Sequence, residues 1–218
     1  MIVEYSYYDT VANDTEIKDN LLKSIKYPIN TISVLPPYLK LAKSVLPEHI
    51  YLSCPIDYPL GILDATNRYH ITEFAIKNGA KIVEMVCPVQ LLCNRKYEKF
   101  RDDIKNITGL CADNGVEIRY ILEYRLYSYD LLYKIAQILI GHNIFTAYPS
   151  TGYLLDDIND NVLACALINK KVPNLNIICN GNIWNENQIK MIQKADLYGL
   201  RVNSLNGLDL VTKNILKS

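Results

Sequence analysis

Short runs rich in Ile, Val, Leu, Tyr and Thr recur along the chain, and each is followed by a stretch whose apolar positions fall three and four residues apart. The runs Ile2–Ser6, Thr31–Leu35, Ile50–Cys54, Lys81–Cys87, Glu117–Glu123, Phe145–Tyr148, Asn176–Asn180 and Gly199–Asn203 read as strands. The helical pattern occupies Tyr38–Leu46, Leu63–Lys77, Lys96–Asp113, Tyr129–Ile140, Ile158–Asn169 and Glu186–Lys194. Thr15 before Glu16-Ile17 fits a helix N-cap, while Asn78-Gly79 and Asn114-Gly115 stand where helices should stop. Strand and helix in alternation predict a parallel sheet. Right-handed crossovers curl such a sheet one way, so eight units close most economically into an α/β (β/α)8 TIM barrel, one domain over residues 1–218. An open doubly wound sheet is the alternative.

Composition narrows the function classes without choosing among them. Hydrophobic residues make up 50% and charged residues 21%, the proportions of an ordinary globular chain. Twenty-three basic residues balance twenty-three acidic ones, so no broad attraction to nucleic acid or to an anionic membrane is built in. No apolar run reaches membrane-spanning length, and the opening MIVEYSYYDT lacks the basic and apolar segments of a signal peptide. Six cysteines without any C-x-x-C spacing read as free thiols, which places the expected compartment in the reducing cytoplasm.

Several segments at strand ends carry a family likeness. Pro55-Ile56-Asp57-Tyr58-Pro59-Leu60-Gly61, Asn78 through Val86, Arg119-Tyr120-Ile121-Leu122-Glu123, Ser150-Thr151-Gly152-Tyr153 and Gly181-Asn182-Ile183 follow one another in order. Val3-Glu4-Tyr5-Ser6 and Thr15-Glu16-Ile17 stand ahead of them. Together they resemble the collinear motifs of the deoxyribose-phosphate aldolases. The resemblance implies a barrel whose reacting groups sit at the strand C-termini, a phosphorylated small-molecule ligand, a homo-oligomer and no cofactor. It also exposes a departure. The family's lysine of K-T-S-T-G, which forms a Schiff base with the aldehyde, aligns with Tyr148. A second lysine that lowers the first one's pKa aligns with Ile178. Neither residue can form an imine.

Strand alternation places Arg119, Ile121 and Glu123 on one face, and the resemblance turns that face inward beside Glu84. Glu84, Arg119, Glu123 and Tyr148 are therefore the catalytic candidates. The two carboxylates divide into acid and base with Arg119 holding one ionised, or the three charges form an ion-pair plug. Ser150, Thr151, Gly152, Gly181 and Asn182 suit a phosphate, because small residues ahead of a helix let backbone N–H groups approach an oxyanion. The family's donors on the last strand correspond either to Gly199 through Val202 or to Asn203 and Ser204. His49, His70 and His142 lie away from the strand C-termini, so no zinc site is expected; Glu84 and Glu123 are the candidates for magnesium.

Tyrosine is abundant, 17 residues against 3 phenylalanines, and Tyr5, Tyr7, Tyr8, Tyr124, Tyr127 and Tyr153 are placed near the functional end, for ligand stacking or a subunit interface. Three readings follow: a silent aldolase relative that binds a phosphorylated metabolite or a partner, a lyase working by acid–base or metal chemistry, and an assembly component.

Overall fold

Eight parallel strands hydrogen-bond in sequence order and close on themselves, β1 pairing with both β2 and β8. The computed structural model describes residues 1–154 and 157–216. The strands are β1 Ile2–Tyr7, β2 Thr31–Val34, β3 Tyr51–Ile56, β4 Ile82–Val86, β5 Glu117–Ile121, β6 Thr146–Tyr148, β7 Asn176–Gly181 and β8 Gly199–Val202. The helices around them are α1 Asp14–Ser24, α2 Leu39–Val45, α3 Ala65–Lys77, α4 Val89–Cys93, α5 Tyr97–Asp113, α6 Tyr129–Ile140, α7 Ile158–Lys171, α8 Glu186–Lys194 and α9 Leu205–Val211. This is the (β/α)8 barrel, and the open sheet is excluded by the β1–β8 ladder. No helix among the described residues is long and apolar enough to cross a membrane.

The strands alternate between two environments. Val3, Tyr5, Ile32, Val34, Val83, Met85, Tyr120, Ile177 and Leu200 pack with the helices in the main core. Cys87 and Cys179 lie in that same layer. The intervening residues turn into the barrel, and there the chain is polar: Glu4, Ser33, Ser53, Glu84, Arg119, Tyr148 and Arg201 are all buried.

Local chemistry fixes the boundaries. The N-cap of α1 is Asn13 rather than Thr15; its side chain accepts from Thr15 N and Glu16 N, and Glu16 reaches back to the Asn13 N–H. Asn has the short acceptor this capping box needs, and Thr15 lies inside the first turn. Asn78 and Asn114 do end α3 and α5, with Gly79 at φ +101° and Gly115 at φ +62°.

Candidate functional site in the barrel interior and mouth

Charged residues in the middle of four apolar strands meet inside the barrel. Arg201 on β8 lies level with Glu4 on β1, and Arg119 on β5 lies level with Glu84 on β4. Arg201 Nη1 donates to Glu84 Oε2 at 2.5 Å, and its Nη2 donates to Glu84 Oε1 at 2.6 Å and to Glu4 Oε2 at 2.7 Å. Arg119 reaches across the barrel to Glu4 Oε1 at 2.5 Å and outward to Glu117. The Tyr148 hydroxyl closes the network: it accepts from both arginines and donates to Glu4 Oε2 at 2.8 Å. Ser53 and Tyr8 donate to Glu84.

The electrostatics follow from this enclosure. Burial alone would raise the Glu4 pKa, but the Arg201 and Arg119 guanidiniums and the Tyr148 hydroxyl hold its carboxyl below the usual carboxylate range. Burial pushes the Tyr148 phenol well above its usual value, and Glu4 and Glu84 add to that while Arg201 and Arg119 oppose it. Tyr148 therefore stays a neutral phenol, a hydrogen-bond hub rather than a base. Two buried carboxylates face two buried guanidiniums, so the interior is charge-balanced.

Above this network lies a cavity of about 350 Å³ at the C-terminal ends of the strands. Tyr148, Arg201 and Ile121 line it, with Ser150, Thr151, Gly152, Asn180, Gly181 and Asn203, and Tyr7, Tyr8, Asp9 and Tyr58 beside them. Glu84 lies out of the cavity lining, fastened to Arg201, and Ile178 packs with Val86, Ile121 and Tyr148 in a small apolar cluster.

Three expectations about side-chain placement are corrected. Glu123 does not join Glu84: β5 ends at Ile121, Glu123 takes a left-handed conformation at φ +50°, and its carboxylate accepts from Thr151 N and Thr151 Oγ1. Alternation carried past the strand end misplaced it. Arg119 consequently serves Glu4 and Glu117 rather than Glu123. Side chains take up part of the first-turn N–H groups of three helices. Asn185 caps α8 through Asn187 N and Gln188 N, Ser204 caps α9 through Gly207 N, and Asp157 caps α7 through Asn159 N. Ser204 is thus a cap and Asn182 is not part of the cavity lining, whereas Asn203 is. Among the tyrosines, Tyr5 faces the helix layer, where it donates to Asn20, and Tyr153 is exposed.

Glu4 and Arg201 were not singled out in the sequence, although both carry the signal that marks Glu84 and Arg119: one charge in the middle of a short apolar strand.

Known proteins resemble this chain in sequence and in fold. No family model matches the chain. A deoxyribose-phosphate aldolase of Metamycoplasma hominis is 27% identical over 152 residues, 69% of each chain. One of Staphylococcus haemolyticus is 30% identical over 137 residues, 62% of this chain and 61% of that one. Among solved structures, the aldolase QR15 superposes with a TM-score of 0.85 over 98% of this chain and 96% of its own, at 20% identity. A deoxyribose phosphate aldolase from Aeropyrum pernix, described as tetrameric, gives 0.81 over 98% and 90% at 16% identity. In sequence and in fold the chain is similar to the deoxyribose-phosphate aldolases. In this aldolase-like barrel the described residues lining the mouth include no lysine.

Proposed function

We propose that this aldolase-like barrel does not perform imine chemistry and holds a small polar metabolite in the cavity at its mouth. The observation that carries the reading is the Tyr148 hydroxyl, fixed by Arg119, Arg201 and Glu4 at the position where the family resemblance puts the Schiff-base lysine. A carbonyl condenses with an amine, and a neutral phenol offers none. Ile178, at the position of the second lysine, is fully buried in an apolar cluster. The cavity of about 350 Å³ at the mouth is large enough for a small ligand.

Borohydride reduction in the presence of acetaldehyde or 2-deoxyribose 5-phosphate tests this directly. Intact-mass analysis should show no adduct at the barrel mouth; a mass shift mapped to a lysine at a strand C-terminus would falsify the reading. A homo-oligomer belongs to the same proposal, supported by the tetrameric relative and by the exposed apolar side chains of Leu60 and Ile62. The six free thiols fit a reducing compartment.

A further inference from the structure

We propose that a second cavity, behind the β3–α3 loop, binds a small neutral aromatic molecule that carries one hydrogen-bond acceptor, such as an aryl ketone or amide. This site is separate from the mouth and does not depend on how the mouth is read. The two cavities share no lining residue among those described.

The cavity has a volume of about 400 Å³ and lies between loop residues 61–65, the short helix α4 and the first two turns of α5. That size falls within the range of small-molecule sites. Ile62, Leu63, Pro88 and Leu91 form apolar walls. Ile62 is 59% exposed and Leu63 37%, so covering them removes apolar surface from water. The backbone holds this wall in place. The Asp57 carbonyl accepts from Gly61 N and the Gly61 carbonyl accepts from Val89 N, each at 2.9 Å. Asp57 Oδ1 accepts from Ile62 N and Leu63 N. Gly61 lies at φ +63°, and a Cβ there would stand 2.2 Å from the Cys87 carbonyl oxygen. A loop pinned on both sides keeps its apolar side chains at the cavity and loses little freedom when a ligand settles there.

The polar groups of the lining decide what that ligand carries. Arg68 and Asp103 at the floor bond to each other and are 1% and 3% exposed, so neither is offered to a ligand. The Asp64 carboxylate caps α3, accepting from Asn67 N and Nδ2. Gln90 and Lys99 remain, exposed and without a side-chain hydrogen-bond partner among the described residues. An ammonium only donates and an amide nitrogen donates, so both serve an acceptor. A carboxylate ligand would meet Asp64 as a like charge and an ammonium would meet Lys99, which leaves a neutral acceptor as the match.

Titration of the full chain with acetophenone, and with toluene as the ring without an acceptor, tests the site by amide chemical shifts. Both probes should shift Ile62, Leu63, Gln90 and Leu91. Ile62→Asp, a change at an exposed side chain, should abolish those shifts without lowering the thermal midpoint. Lys99→Met combined with Gln90→Met should weaken acetophenone about fivefold, the loss of one ordinary hydrogen bond, and leave toluene unchanged. Equal weakening of the two probes overturns the acceptor requirement. Shifts at Tyr148, Ser150 and Gly181 in place of the loop, or none up to the solubility of either probe, overturn the site. A second copy seated on Ile62 is the competing occupant: shifts at Ile62 and Leu63 that grow with protein concentration in the absence of a probe would assign the face to self-association and overturn the proposal.

Discussion

Tyr148 meets three groups with one hydroxyl, accepting from Arg119 and Arg201 and donating to Glu4. Tyr148→Phe leaves Arg119 Nη1 one acceptor short and removes a donor from Glu4, both in a buried setting, while Arg201 Nη2 keeps Glu4 and Glu84. The expected cost is about 1–3 kcal/mol of folding stability, the penalty for an unmet buried polar group. Arg201→Met is the harsher change because Glu4 and Glu84 lose their shared cation, and about 3–5 kcal/mol is expected. Urea denaturation of the two variants checks both the size and the order. Equal midpoints for wild type and Tyr148→Phe would show that the hydroxyl is a spectator. At this scale the sequence showed that charges stood in apolar strands, but not which would meet. Arg119 finds Glu4 across the barrel, a pairing set by closure and register rather than by spacing along the chain.

Between residues and barrel stand the elements, and one clamp holds three of them together. Arg68 on α3 is 1% exposed; it donates to Asp57 in the β3–α3 turn at 2.7 Å, to Asp103 on α5 at 3.1 Å, and to the carbonyl of Val86 at the end of β4. Asp57 in turn accepts from Ile62 N and Leu63 N, so the ion pair organises the loop beside the cavity. Arg68→Ala should cost about 3–5 kcal/mol by leaving two carboxylates buried without their cation. Hydrogen exchange should show the loss first at Ile62 and Leu63; an unperturbed exchange rate there would sink the clamp. Strand positions and the helices α3, α5, α6, α7 and α8 were legible because apolar spacing repeats over two turns or more. Of the shorter helices, α2 with 7 residues was read, whereas α4 and α9, with 5 and 7 residues, were not. In α1 the buried stripe is Ile17, Leu21 and Ser24, so its signal came from the cap and not from the pattern. The end of β5 was misread because Leu122 and Glu123 continue the alternation in sequence after the ladder has stopped.

For the molecule as a whole, a chain with no net charge carries a charge-balanced core, and that balance depends on pH. Burial opposes ionisation of Glu4, yet the Arg201 and Arg119 guanidiniums outweigh it and hold its folded pKa below the usual value of 4.5. In the window between those two values the unfolded chain binds the proton and the folded chain does not. Stability from this group is therefore complete above about pH 4.5 and is lost as pH falls through the lowered folded pKa. Asp103 works in the opposite direction: burial, set against Arg68, raises its folded pKa, so its contribution is present at low pH and lost as pH rises. Substituting Glu4 separates the two. Glu4→Gln should start less stable at neutral pH, because Arg119 and Arg201 lose a buried counter-charge, and should then decline less steeply in acid. The wild-type and variant curves should converge as pH drops below the carboxylate range, since protonation makes the native glutamate resemble the amide. Urea midpoints measured for both proteins from about pH 7 down to about pH 3 supply the comparison. Parallel curves would mean that Glu4 is not the group whose ionisation holds the barrel interior together in acid.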